Sequence, residues 1–229
     1  MIYDLHQIRT DVRNVLDMND QSKSLINIGD MDTLMVNNII DSVINDAARR
    51  IVEEAPVDML ELGHDFAEDI YWSDLEDMKG CGWTILPDDF FRLVAFKMSD
   101  WRRKVSEPIE DTDPEYALQS SPFVGIRGNC ERPVCALSRR PEGRVLEFYS
   151  CKSEDAYAVQ ANYQPLPQIG RDMSIDLPKR CYRAVIYYAA GLVAMNMKDV
   201  NAANVYFNKA MEIIGINPIP TTPNQQQEQ

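Results

Sequence analysis

Apolar positions recur along this chain in different rhythms, and the order of those rhythms predicts its layout. Leu5, Ile8, Val12, Val15 and Leu16 fall at helical spacing and predict an amphipathic helix over residues 3–18, followed by a polar loop through Gly29. From Asp32, a residue suited to capping a helix start, apolar doublets return at Met35-Val36, Ile39-Ile40, Val43-Ile44, Ala47-Ala48 and Ile51-Val52, until Pro56 ends the pattern. Doublets every four residues outrun a 3.6-residue turn, so the apolar stripe rotates by about 40° per repeat. The two ends of this helix are therefore expected to face different neighbours, one of them another element or another subunit.

Residues 57–80 are acidic and irregular, and the rhythm then changes to alternation. "TILPDDFFRLVAFKM" predicts a strand, with Pro87 fixing the turn before it and Asp88 or Asp89 accepting backbone hydrogen bonds there. A polar stretch from Glu107 to Gly128, with one helical turn at 114–119, leads to three more strands, "RPVCALS", "RVLEFYSC" and "AYAVQANYQ". In the second of them Val145, Glu147 and Tyr149 alternate with Leu146 and Phe148. Pro141 and Gly143 suit a tight turn between the first two, and the expected arrangement is an antiparallel meander.

Helical spacing returns in the last third. Asp176 as a cap and Pro178 near the first helical position introduce "KRCYRAVIYYAAGLVAMNM", and "KDVNAANVYFNKAMEIIG" gives a second helix ended by Gly215. Ala202, Ala203 and Ala210 are small enough to let the two pack as a close hairpin. The expected fold class is α+β: a helical bundle built from the N- and C-terminal helices, 1–56 and 176–217, with an inserted antiparallel β segment, 57–175. The tail, 218–229, is low in complexity and is expected to be flexible.

Composition narrows the chemistry. The 229 residues carry a net charge of −13, concentrated early: residues 1–80 hold 18 acidic and 6 basic side chains, residues 81–165 hold 13 and 11. Such a surface disfavours sequence-specific DNA binding, although an acidic wall past which nucleic acid slides remains compatible with it. No membrane span or secretion signal is expected, and the five cysteines read as reduced, mostly buried thiols of a protein made in a cytoplasm; a zinc site on Cys130 and Cys135 would lack the two close ligand pairs that such sites show. The phosphate-loop, nucleophile-elbow, zinc-hydrolase and dinucleotide signatures are all missing, and Asp88 and Asp89, as strand neighbours, would point to opposite faces. No catalytic residue, cofactor or metal is expected, and the chain is read as a protein without enzymatic activity.

One cluster stands out. Trp101, followed by Arg102, Arg103 and Lys104, is expected to be the exposed exit of the long strand and a contact with another subunit, its bases meeting acidic residues of an acid-rich helical region. An acidic helical part and a base-bearing β part on one chain would meet head to tail and close a ring.

The stretch "ILPDDFFRLVAFKMSDWRRKV", with Leu86-Pro87-Asp88-Asp89-Phe90 and then Arg92-Leu93, lies between N-terminal and C-terminal helices. With "RPVCAL" and "GRVLEFYSC", it resembles the head-to-tail connector (adaptor, tail tubular protein A-like) ring proteins of short-tailed phages. It is most similar to the ring proteins of crAss-like phages. The resemblance implies a virion structural protein of the phage neck or tail, forming a homo-oligomeric, dodecameric ring beneath the portal protein. Portal, other connector or tail proteins, and double-stranded DNA crossing the lumen without sequence-specific binding would be its partners. The alternative is a cytoplasmic helical adaptor that binds a partner protein through the C-terminal hairpin, around Tyr187, Tyr188, Tyr206 and Phe207.

Overall fold

The N-terminal residues form a strand before they form a helix. The computed structural model describes residues 1–16 and 31–216, except 62, 68, 124 and 150, and for 31–34 the backbone only. It divides the chain into two compact units: residues 1–60 with the described residues from 167 on, and residues 61–166. The polar loop expected through Gly29 and the tail, 218–229, lie outside the described residues.

The first unit holds β1 (Ile2–Asp4), α1 (Leu5–Val15), α2 (Met31–Glu54), β10 (Ser174–Asp176), α4 (Tyr182–Asn196) and α5 (Val200–Ile213). β1 pairs antiparallel with β10, Tyr3 opposite Ile175, and the Asp4 carboxylate then caps α1 by accepting from the His6 amide at 2.6 Å. The expected helix over residues 3–18 therefore loses its first two positions to a strand. Pairing also takes Asp176, which accepts from the Met1 ammonium at 2.5 Å instead of capping a helix, so α4 starts at Tyr182.

The drift of the α2 stripe is visible in its burial. Met35 is 64% exposed, whereas both members of the doublets Ala47-Ala48 and Ile51-Val52 are fully buried. Leu5, Ile8 and Val12 of α1 join this core, as do Ala184, Val185, Ala189, Ala190 and Val193 of α4. The α4–α5 hairpin is close because Gly191 gives way: a Cβ there would stand 2.5 Å from the Phe207 ring. Asp199 caps α5 by accepting from the Ala202 amide at 3.0 Å, and Gly215, at φ +81°, follows its end.

The second unit holds β2 (His64–Asp65), β3 (Tyr71–Trp72), β4 (Gly82–Ile85), β5 (Phe90–Met98), β6 (Ile109–Glu110), α3 (Pro114–Leu118), β7 (Cys135–Arg140), β8 (Gly143–Phe148) and β9 (Ala158–Pro165). A three-stranded sheet runs β2-β9-β5 and a five-stranded sheet runs β3-β4-β8-β7-β6. Leu86, Phe90, Leu93, Phe96, Met98, Trp101, Tyr163, Leu146 and Phe148 from the two sheets and their loops meet in one core, Phe96 and Phe148 with ring centroids 5.8 Å apart.

Three expectations are corrected here. The fold is mixed α/β: five helices and ten strands in three sheets among the described residues, with β structure extending into the first unit as the pair of β1 and β10. It is not a helical bundle carrying a small inserted antiparallel β segment, and β6 and β7 run parallel. The meander also ends after one hairpin. β8 is already paired on both sides, by β4 and β7, so β9 finds its partners in β5 and β2. The charge division differs for a similar reason. Glu61, Asp65, Asp69, Asp74, Glu76 and Asp77 belong to the β unit, so acidic and basic stretches share one unit instead of marking two.

Candidate functional site

The four residues expected at a subunit contact separate at the end of β5. The Trp101 amide donates to Met98 O at 3.1 Å, and the turn directs the indole inward, where it is 3% exposed and packs edge-on against Phe96 at 5.7 Å and Phe148 at 6.4 Å. Trp101 is thus a core side chain and not an exposed one, because burying a ring of that size outweighs the position it holds just beyond a strand end. Arg102, Arg103 and Lys104 point outward. The Arg102 guanidinium lies 3.0 Å from Glu131, both side chains more than half exposed, so the pair adds little stability.

The adjacent acids at the other end of β5 form its leading turn. Phe90 N donates to Pro87 O at 3.0 Å, Leu166 N donates to Asp89 O at 2.7 Å, and the Asp89 carboxylate accepts from the Tyr163 hydroxyl at 2.8 Å. Burial, then the bond to Asp89, pushes the Tyr163 phenol up to about 12. Leu86 and Phe90, flanking the turn, are both buried.

A polar centre that sequence reasoning passed over lies in the five-stranded sheet. Register aligns Tyr71, Trp83, Glu147 and Ala136 across β3, β4, β8 and β7 on one face. Glu147 is 6% exposed, and both its oxygens are engaged: one accepts from Arg140 Nε at 2.9 Å, the other from the Tyr149 hydroxyl at 2.6 Å and the Tyr116 hydroxyl, brought by α3, at 3.0 Å. Arg140 in turn lies 3.8 Å over the Trp83 ring, which stacks on Tyr71. Burial alone would raise the Glu147 carboxyl, but the bonds from Tyr149, Arg140 and Tyr116 outweigh it and leave it below the ordinary carboxylate value. Burial followed by the bond to Glu147 pushes the Tyr149 phenol well up, and burial followed by the Glu147 charge raises Tyr116. The centre is therefore a fixed anion held by two neutral phenols and a cation, with a cavity of about 170 Å³ beside it, lined by Ser73, Met78, Trp83 and Ser120 among others. Its groups bind and orient; none is poised to exchange a proton near neutral pH. The alternation of "RVLEFYSC" carried one signal of it, a carboxylate sharing a strand face with Val145 and Tyr149.

Cysteine and histidine do not converge. Cys81, Cys135, Cys151 and Cys181 are buried and no disulfide joins the five thiols. Burial is the first cause raising Cys81, Cys130, Cys135 and Cys151, which keeps them protonated at neutral pH. No group of three histidine, cysteine or acidic side chains is placed to hold a metal ion among the described residues, and none of their helices is long and apolar enough to cross a membrane. In the C-terminal hairpin, the Tyr188 and Phe207 rings pack on each other at 4.8 Å and the Tyr206 hydroxyl donates to Val15 O at 3.1 Å, so these aromatics are engaged within their own unit.

No family model, curated protein or solved structure matches this chain.

Proposed function

We propose that this chain is a virion structural protein that assembles into a head-to-tail connector ring around the DNA channel below the portal of a short-tailed phage. The observation that carries the reading is the structural work done by Leu86-Pro87-Asp88-Asp89-Phe90, the stretch on which the resemblance rests. Leu86 and Phe90 enter the core of the β unit, and Asp89 ties the turn to β9 through Tyr163. These residues build the entrance to a core strand, the work that a shared scaffold requires. Two features of the surface suit assembly. Arg102, Arg103 and Lys104 form an exposed basic run on a turn anchored by Trp101, and the N-terminal end of α2 leaves Met35 in solvent. Charges of this kind select a partner and its register more than they add affinity.

The experiment is electron microscopy and native mass spectrometry of the purified protein, alone and in the presence of a portal protein. Rings or portal-bound copies are expected, and a triple change of Arg102, Arg103 and Lys104 to glutamate should reduce assembly with folding intact. A chain that stays monomeric in both conditions refutes the reading.

A further inference from the structure

We propose that the β unit holds a binding site for a small organic oxyanion of the phosphate monoester class, in the cavity formed by Lys79, the loop 125–131 and Tyr149, Cys151 and Lys152. The inference concerns a single copy of the chain and does not depend on the ring reading. The cavity encloses about 690 Å³, a volume typical of small-molecule sites, and Lys79, Arg127, Asn129, Cys130, Tyr149 and Lys152 contribute to its wall.

Its charge is unbalanced. Arg127 is 6% exposed, yet its guanidinium meets only neutral acceptors: Nη1 donates to Asp77 O at 2.8 Å and approaches Met78 Sδ at 3.5 Å, and Nη2 donates to Lys79 O at 3.2 Å. Its Nε is buried with no partner among the described residues. A buried cation solvated by carbonyls alone is costly unless an anion compensates it. Two carboxylates stand against the three cations: Glu131 on the wall, which lies 3.0 Å from Arg102, and Asp100 beside it, whose Oδ2 accepts from the Lys152 amide at 2.5 Å and from the Cys130 thiol while its Oδ1 is buried with no partner among the described residues. Lys79 and Lys152 have no ion-pair partner within 4.0 Å among the described residues, so the wall presents a net positive charge to whatever enters. Tyr149, Cys130 and Cys151 supply an apolar side. Three cationic donors beside an aromatic and two neutral thiols suit an anionic head carried on an apolar body, and lysine and arginine together recognise phosphate oxygens best.

The test uses the full chain and phenyl phosphate, followed by calorimetric titration in chloride buffer of matched ionic strength. Saturable one-to-one binding is expected, tighter than that of inorganic phosphate. Lys79→Gln with Lys152→Gln should weaken it by about tenfold or more while leaving the melting temperature without ligand unchanged, since both side chains are exposed. Arg127→Met should abolish binding; should that variant unfold, the lysine pair still decides. No binding of phenyl phosphate, equal binding by the lysine variant, or equal affinity for inorganic phosphate each overturns the proposal.

Discussion

At the scale of single residues, Glu147 and Trp101 carry the most testable consequences. Glu147→Gln should cost about 2–3 kcal/mol, because it removes the charge to which Arg140, Tyr116 and Tyr149 are bound in a buried setting. Because the Glu147 carboxyl lies below its ordinary value when folded, its contribution is complete above that ordinary value, about 4.3, and disappears as pH falls through the lower folded value. Urea unfolding at pH 7 and at pH 3 should then show a smaller loss on acidification in Glu147→Gln than in the wild type; equal losses would remove the carboxylate from this role. Trp101→Ala should destabilise by about 3–5 kcal/mol through the cavity left between Phe96 and Phe148. Arg102→Glu, which loses one exposed pair, should change stability by less than about 1 kcal/mol. Denaturant midpoints of the two variants separate the anchor from the basic run beside it.

At the scale of elements, the α4–α5 hairpin turns on Gly191. Alanine would gain roughly 1 kcal/mol of helix propensity but would press a methyl into the Phe207 ring, and overpacking of that kind costs about 1–3 kcal/mol. Gly191→Ala should be net destabilising in thermal unfolding, and the same change in a Phe207→Leu background should be neutral or stabilising. A cost that is independent of residue 207 would place the strain elsewhere. Both helices of this hairpin were legible in the sequence: small residues at helical spacing and Gly215 beyond the end are local features that no distant contact needs to complete. The start of α4 was not, because Asp176 had two uses open to it, cap or strand partner, and the Met1 ammonium and β1 decided between them.

For the whole molecule, the two units carry separate cores and separate probes. Trp72, Trp83 and Trp101 all lie between residues 61 and 166, whereas the long helices all lie in the other unit. Tryptophan fluorescence therefore follows the β unit, and the helical circular dichroism signal follows the other. Gly191→Ala should lower the dichroism midpoint and leave the fluorescence midpoint in place, while Trp101→Ala should do the converse; one shared transition in both variants would make the chain a single cooperative body. The register of β2 on β9, His64 opposite Tyr163, also brings residues near the two ends of the β unit side by side.

What the sequence determined by itself was whatever nearby residues can settle among themselves: the doublets of α2, the α5 stop, the Pro87–Asp89 turn and the β7–β8 hairpin around Pro141 and Gly143. Turn chemistry and periodicity act within a few residues and need no knowledge of the rest of the chain. Tertiary structure decided the partner of β9, the inward turn of Trp101, the assembly of Glu147 with Tyr116, Tyr149 and Arg140, and the unit to which the acids of 61–77 belong. Each depends on which strand edge is still open, or on which core can take a ring or a charge, and that is set by residues tens of positions away.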